Sequence, residues 1–529
     1  MPAEETPPSW SRRDLLLVPV LVAAAGVQAL SLALGRVPWN SDQGIVALMG
    51  RHIALGISNP IFCYGSYYGG TLEPHLTALV FSALGMSRST YRLSLMLFLT
   101  VLLLVVYAIG RRYFGRAQAL CAVGYLALPP FFFLLKGLTS DGAYDSLAIL
   151  GGAIIFAALR LDEELEKQGR PRIWFALLGL FAGLAWWVHP VSAYFNLAVA
   201  LWFLVVRPRV LLRFRDYPVF LLSFLLGSLP WWIENLRIGW LSLKTHEAAT
   251  LPMRLAALQF FRFFTVGVPA LFGGRSFYAA AENFPGASLV AWTIYGVITA
   301  ATVLRIARSG IRPGRSSDSS REARESRALL LLLILMGSMQ AVTSLSDRTY
   351  LADPRFLFPA YVPFSLMFGY WIVRVARKSR WRASAVAAGL AVAAFHAIGL
   401  ARTEGQEHWS TTGSLAPLVR ALDERGLHQV YTGYWTAYRL AFESGERIKP
   451  GIFGIEAADR YPAYTREVDL SKSPAVVLRG PEATQFRDYL ARVRSRARSV
   501  WVGPHVIFWN FEPAVLEEIR RIHGVPPAG

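Results

Sequence analysis

The strongest constraint on this chain is its succession of apolar runs about as long as a bilayer is thick. One of them, LSLMLFLTVLLLVVYAIG over residues 93–110, holds no charge at all. A run of ~20 apolar residues in a helix reaches across a hydrocarbon core of roughly 30 Å. Inside that core every backbone amide must bond within its own segment, so the chain has to be a stack of helices. Eleven such segments are expected, at 14–35, 91–110, 117–135, 146–160, 173–189, 191–206, 217–235, 287–304, 328–345, 356–373 and 383–400. Composition agrees: 54% of the 529 residues are hydrophobic and 17% charged, too little charge for a soluble chain of this length. The fold class is mainly α, a polytopic helical bundle. Residues 74–86 are apolar but too short to cross alone, which suggests a partly inserted helix. The first run is too long for a signal-peptide core and lacks a clear cleavage site, so it reads as a retained helix.

The net charge of +19 would suggest nucleic acid in a soluble protein. Here the basic residues crowd into short loops beside apolar runs. With the N-terminus placed inside, the inner loops carry 25 Lys and Arg and the longer outer segments only 12. The positive-inside rule favours that orientation. It puts 36–75, the loop around Asp141, the loop 236–286 and everything from 401 onward on the outer face, where they meet lipid headgroups and not nucleic acid. Cys63 and Cys121 then lie on opposite sides and should not pair, and no His/Cys spacing suggests a metal. The Ser- and Arg-rich loop 309–327 reads as a polar connector.

From about residue 414 the pattern changes. LAPLVRALDERG, WTAYRLAFESG, TQFRDYLARVRSR and PAVLEEIRRIHG read as helices, and HQVYTG, PAVVLR, SVWVG and HVIFW as strands. That alternation predicts a small outer α/β domain. The division expected is 1–400 for the membrane domain, with an outer loop 36–90 carrying amphipathic helices, and 401–529 for the α/β domain.

Charged groups at helix ends on the outer side are candidates for function, because charge at membrane depth is costly and tends to face a cavity or a ligand. They are Asp42 after the first span, Glu73 and His75 in YYGGTLEPH, Lys136, Asp141 and Asp145 in LLKGLTSDGAYDS, and Asp347, Arg348, Asp353 and Arg355 in SDRTYLADPRF. His189 and Glu234 close two further spans. Each also has a structural reading. Asp42 or Ser41 could cap the helix that follows, and one of Asp141 and Asp145 could cap another. Arg355 could snorkel to the interface, His189 could be a packed histidine, and Tyr64, Tyr67 and Tyr68 could belong to an aromatic belt.

Residues 41–76 resemble the first outer loop of the GT-C glycosyltransferases, in particular the family-39-like enzymes of the protein mannosyltransferase and aminoarabinose transferase type. The order is an acid after the first span, an amphipathic stretch (ALMGRHIALG), then an aromatic and glycine-rich segment (FCYGSYYGGTLEPHL). RLSLMLFLTVLLLVVYAIGRRYFG, PRFLFPAYVPFSL and WTAYRLAFESGERI resemble later parts of the pattern. The sequence departs from it in two places. The tandem acid is Asp42-Gln43, and the usual Lys-Pro-Pro is Glu73-Pro74-His75, which removes a cation. The resemblance implies a transferase, hexosyl or pentosyl, that moves a sugar from a polyprenyl-phosphate donor to a lipid, glycan or protein acceptor, with inversion and without a metal or other cofactor, though a divalent ion is not excluded. It points to Asp42 as the base or acceptor-orienting acid, with Glu73 and a second-loop acid, Asp145 in preference to Asp141, in support. Arg355 is the leading phosphate contact, with Lys136 and His75 as alternates, and Tyr67, Tyr68 and Asp141 lie near the substrate. A lipid or glycan transporter or flippase, or a non-catalytic glycolipid-binding relative, would share the polytopic frame. Transporters more often carry internal repeats and broken helices, and no repeat is evident.

Overall fold

The computed structural model describes residues 11–140, 142–244, 251–275, 281–309, 320–346, 354–402, 413–454 and 459–522. Among them, nine helices are long and apolar enough to cross a membrane: Arg12–Ala33, Arg88–Tyr113, Tyr144–Glu166, Pro171–Val188, Tyr217–Arg237, Ala287–Arg308, Arg321–Ser344, Arg355–Ala376 and Ser379–Arg402. A tenth is a bent pair, Arg116–Ala127 and Phe131–Gly137, meeting at 78°. The run 117–135 is therefore broken where a straight span was expected. Pro129 and Pro130 lie at the bend, and proline removes the amide hydrogen and clashes with the preceding turn.

The eleventh expected segment, 191–206, is the short helix Pro190–Val206. It nonetheless runs from one end of the bundle to the other. His189, just before it, lines a cavity with Tyr144 at the start of the helix Tyr144–Glu166. Arg207, just after it, pairs with Asp162 and with Glu166 (3.0 Å) at the far end of that same helix. At ~1.5 Å per residue, 17 residues cover about 25 Å, short of the roughly 30 Å of a hydrocarbon core.

Helices approach closely where glycine lines the contact. A Cβ on Gly183 would lie 2.1 Å from the carbonyl oxygen of Phe224, and one on Gly227 2.4 Å from that of Leu180. Pro171–Val188 and Tyr217–Arg237 thus pack backbone to backbone, as expected where lipid offers no hydrophobic drive and close van der Waals contact must serve.

The C-terminal domain holds a five-stranded mixed sheet of order β2-β1-β3-β5-β4. The strands are β1 (Gln429–Thr432), β2 (Lys449–Ile452), β3 (Ala475–Arg479), β4 (Arg498–Val502) and β5 (His505–Trp509). β1 pairs in parallel with β2 and β3, and β5 runs antiparallel to β3 and β4. Alternation along the strands gives each face its own core. Val476, Leu478 and Phe508 pack with Phe486, Leu490 and Ile519. Ala475, Val477 and Ile507 pack with Leu418, Leu422 and Leu440. All four helices and all four strands expected from the sequence are present. β2 and the helix Pro462–Asp469 are additions. β2 reads KPGI, and Pro450 is tolerated there because β2 is an edge strand.

Candidate active site

The helix Ser41–Ala54 is capped by neither Ser41 nor Asp42. Asn40 accepts the amide hydrogen of Asp42 (2.8 Å) through its side chain, and Gln43 accepts that of Asn40 (2.8 Å), forming a reciprocal box. The Asp42 carboxylate is thereby released from capping and projects from the first turn. Its Oδ1 accepts the phenol hydrogen of Tyr434 at 2.5 Å. Burial pushes the Tyr434 phenol up, and the charge on Asp42 adds to that, so the phenol stays a donor.

Asp42, Glu73, Tyr68 and Arg355 line one cavity of about 260 Å³, together with Ser140, Tyr144, His189 and Arg460. Three sequence-distant regions meet here for definable reasons. The loop 62–70 lies across the end of Pro171–Val188: Gly70 donates to the Val188 carbonyl (2.9 Å), and Trp187 donates to that of Ile61 (3.1 Å). That seats Tyr68 edge-on against His189, with ring centroids 5.3 Å apart. The His189 ring in turn meets Phe356 at 5.4 Å, and the Arg355 guanidinium lies 5.5 Å over the Phe356 ring. Burial, and Arg355 after it, hold the His189 imidazole down to about 3. His189 is therefore neutral. Its Nδ1 accepts from the Val191 amide (3.1 Å), which leaves the proton on Nε2.

Glu73 is a tether as well as a wall. Its carboxylate accepts from the Ser140 hydroxyl, the Ser146 hydroxyl (3.0 Å) and the Ser146 amide (3.3 Å). It satisfies the start of Tyr144–Glu166 from another helix, where the N-cap, Ala143, offers no side-chain acceptor. The loop so held is strained. Ser140 and Ala143 have φ of 53° and 56°, a region in which non-glycine residues are uncommon. Such outliers gather at functional sites, where the surroundings hold them in place.

Other candidates stand elsewhere. Asp145 is buried, and its Oδ1 lies against Gly137, where an added Cβ would come within 3.3 Å. Successive helix positions are about 100° apart, so Tyr144 lines the cavity while Asp145 turns inward. Lys136 is buried in Phe131–Gly137 and does not line the cavity. The imidazole of His75 bonds to the Thr71 carbonyl (2.6 Å) and Asn59 Oδ1 (2.8 Å), outside the cavity. Tyr67 is 47% exposed. Asp141, Asp347, Arg348 and Asp353 lie outside the described residues. Tyr64 packs between domains, bonded to His52 (2.8 Å) and 4.8 Å from the Tyr461 ring. Among the described residues no three of His, Cys, Asp and Glu are grouped to hold a metal. Cys63 and Cys121 are both free thiols.

Sequence reasoning missed Arg460, Tyr434, Ser140 and Tyr144. The first two come from the C-terminal domain, which docks on the helix that carries Asp42. A Cβ on Gly44 would lie 2.6 Å from the Arg439 nitrogen, so Tyr434–Glu443 crosses that helix in backbone contact. Around the crossing, Trp39 donates to Glu443 (2.8 Å), and Ser41 accepts from the Tyr438 amide (3.2 Å). Arg51 (2.8 Å), His52 (2.9 Å) and Tyr464 (2.5 Å) all meet the Glu446 carboxylate.

This architecture has known counterparts. Residues 71–233 match the family described as dolichyl-phosphate-mannose-protein mannosyltransferase. The described residues have an ArnT-like GT-C fold. ArnT from Cupriavidus metallidurans, in the apo state, superposes with a TM-score of 0.62 at 16% identity, over 96% of this chain and 99% of that one. Its form bound to undecaprenyl phosphate gives 0.59 at 15%, over 93% and 98%. The Archaeoglobus fulgidus oligosaccharyltransferase, in complex with Zn and sulfate, gives 0.50 at 14%, over 87% and 68%. No curated protein sequence matches the chain.

Proposed function

We propose that the chain transfers a sugar from a polyprenyl-phosphate donor to an acceptor hydroxyl or amine at the outer membrane face, with inversion and without a metal. The observation that carries this reading is the meeting of the Asp42 carboxylate and the Arg355 guanidinium in one cavity at a bundle end. A lipid donor leaves its chain in the bilayer and presents its phosphate at such an end. Asp42 takes the acceptor proton as the acceptor atom attacks the anomeric carbon. The bond from that carbon to the phosphate oxygen breaks, and its electron pair leaves with the lipid phosphate. Arg355 stabilises the charge that develops there. Tyr434 holds one oxygen of Asp42, which orients the other. Neutral His189 offers an Nε2 hydrogen to a sugar hydroxyl, while Glu73 fixes the loop that closes the cavity. The family match and the undecaprenyl phosphate of the ArnT relative support a lipid-phosphate donor. The excess of basic residues in the opposite loops supports the outer location.

The test is to incubate purified protein with polyprenyl-phosphate sugars and candidate acceptors and to measure free polyprenyl phosphate. Release that depends on acceptor supports transfer. Movement of intact donor between leaflets, with no release, would replace this reading with a transporter.

A further inference from the structure

We infer that the C-terminal domain is part of the phosphate site, with Arg460 as a second guanidinium that binds the lipid-carrier phosphate together with Arg355. The inference rests on the donor reading above and goes past it, because it makes a membrane-bound reaction depend on a residue of the α/β domain.

Arg460 and Arg355 line the same cavity. Arg460 is fixed there from several sides. Its Nε donates to the Tyr64 carbonyl at 2.7 Å, and its amide to the Tyr438 hydroxyl at 2.6 Å. The loop 62–70 meets it at Gly65, where an added Cβ would lie 2.4 Å from the Arg460 Cα. Only a glycine permits that approach, and Gly65 has a φ of 65°, so both surfaces are matched at one point. The anchors use Nε and the backbone. The terminal amino groups, which grip phosphate in a fork, close no ion pair with a carboxylate among the described residues.

The charge balance leaves work for a second cation. The cavity carries two carboxylates, Asp42 and Glu73, against the two guanidiniums, and Asp42 attracts Arg460 directly. An arriving phosphate adds negative charge to that balanced set, and one guanidinium alone would face it together with both carboxylates. The phosphate gains charge as its sugar leaves, and a second cation helps most at that moment. The docking around Gly44 and Glu446 sets the position of Arg460 relative to Arg355, so the pocket is complete only when the domain is seated.

The experiment measures binding of polyprenyl phosphate to the full-length protein in nanodiscs, for wild type, Arg460→Lys and Arg460→Ala, alongside melting temperature and steady-state kinetics. Losing a charge-assisted contact predicts affinity at least ~10-fold weaker in Arg460→Ala, a matching rise in KM for the lipid donor, partial retention in Arg460→Lys and a melting temperature close to wild type. In a second arm inorganic phosphate competes with the lipid, and Arg460→Ala should weaken both. Wild-type lipid affinity in folded Arg460→Ala overturns the inference alone. So does a loss that follows only a lowered melting temperature, which marks Arg460 as a loop tether, or a loss confined to free phosphate. A wild type that binds no polyprenyl phosphate overturns the donor reading and this inference with it.

Discussion

The far end of the bundle and the cavity place charge differently. At the end away from the cavity, carboxylates and guanidiniums close on one another. Asp14 takes Arg111 (2.8 Å), Arg116 (3.0 Å) and the Tyr107 hydroxyl (2.6 Å). Asp162 and Glu166 are bridged by Arg207 and Arg327, with Arg327 at 3.0 and 2.5 Å. Glu163 takes Arg112 (2.5 Å) and Arg160. At the cavity end Asp42, Glu73, Arg355 and Arg460 line a cavity, beside a loop with two left-handed non-glycine residues. Closed networks hold helices together. Charges that line a cavity are within reach of a ligand, and position in the sequence alone does not separate the two cases, since both sets sit at helix ends.

The contrast can be broken at either end. The largest expected effect is on chemistry: Asp42→Asn should cut sugar transfer by about 10²–10⁴-fold, the range of a lost general base, with little change in melting temperature. Full activity in this variant would remove Asp42 from the mechanism. The reverse should hold for Arg327→Ala, which strips a shared partner from Asp162 and Glu166. Breaking a buried pair costs ~3–5 kcal/mol, so thermal stability should fall while turnover per folded molecule is retained. Lower turnover at unchanged stability would erase the distinction between the ends.

Smaller effects probe the join between the domains. Gly44→Val meets backbone atoms of Tyr438 and Arg439, and overpacking of that kind costs about 1–3 kcal/mol. Protease sensitivity of the C-terminal domain should rise, and unchanged protection would argue against the close crossing. The smallest effect is the pH response of Glu446. Burial pushes its carboxylate up, but hydrogen bonds from His52 and Tyr464, the charge of His52 and the bond from Arg51 outweigh it and hold it below its ordinary 4.5. A lowered folded-state value contributes stability that is present above 4.5 and lost as pH falls through the lower value. Docking should therefore weaken progressively below pH 4.5 in wild type, and less steeply in Glu446→Gln.

Much of this fold is legible in the sequence, because a bilayer imposes length and polarity on each span. Alternating strand patterns likewise give away the α/β domain. The break at Pro129-Pro130 and the edge strand KPGI are harder, since each hides inside or beside a run of another kind. The site divides similarly. Of the cavity's lining, Asp42, Glu73 and Arg355 are candidates by order and sidedness, as charged groups at helix ends on one face, and Tyr68 by the resemblance of its loop. Asp145 is a candidate by the same logic, but one helix position decides whether a side chain faces the cavity or the bundle interior. Arg460 and Tyr434 lie about 400 residues from Asp42, and nothing local in ADRYPAY or GYWTAY signals where they go. The one hint is Gly44 in the first turn of the amphipathic helix that carries Asp42, since a glycine there marks a close neighbour without naming it.

The cavity lined by Asp42 and Arg355 is expected to receive a lipid phosphate. The most direct measurement is a structure of the protein in nanodiscs with polyprenyl phosphate added. The expected result is phosphate within hydrogen-bonding distance of Arg355, in the cavity lined by Asp42 and His189. Phosphate seated instead at the opposite end, in the arginine-rich groove formed by residues 169–173 and 212–216, would contradict it.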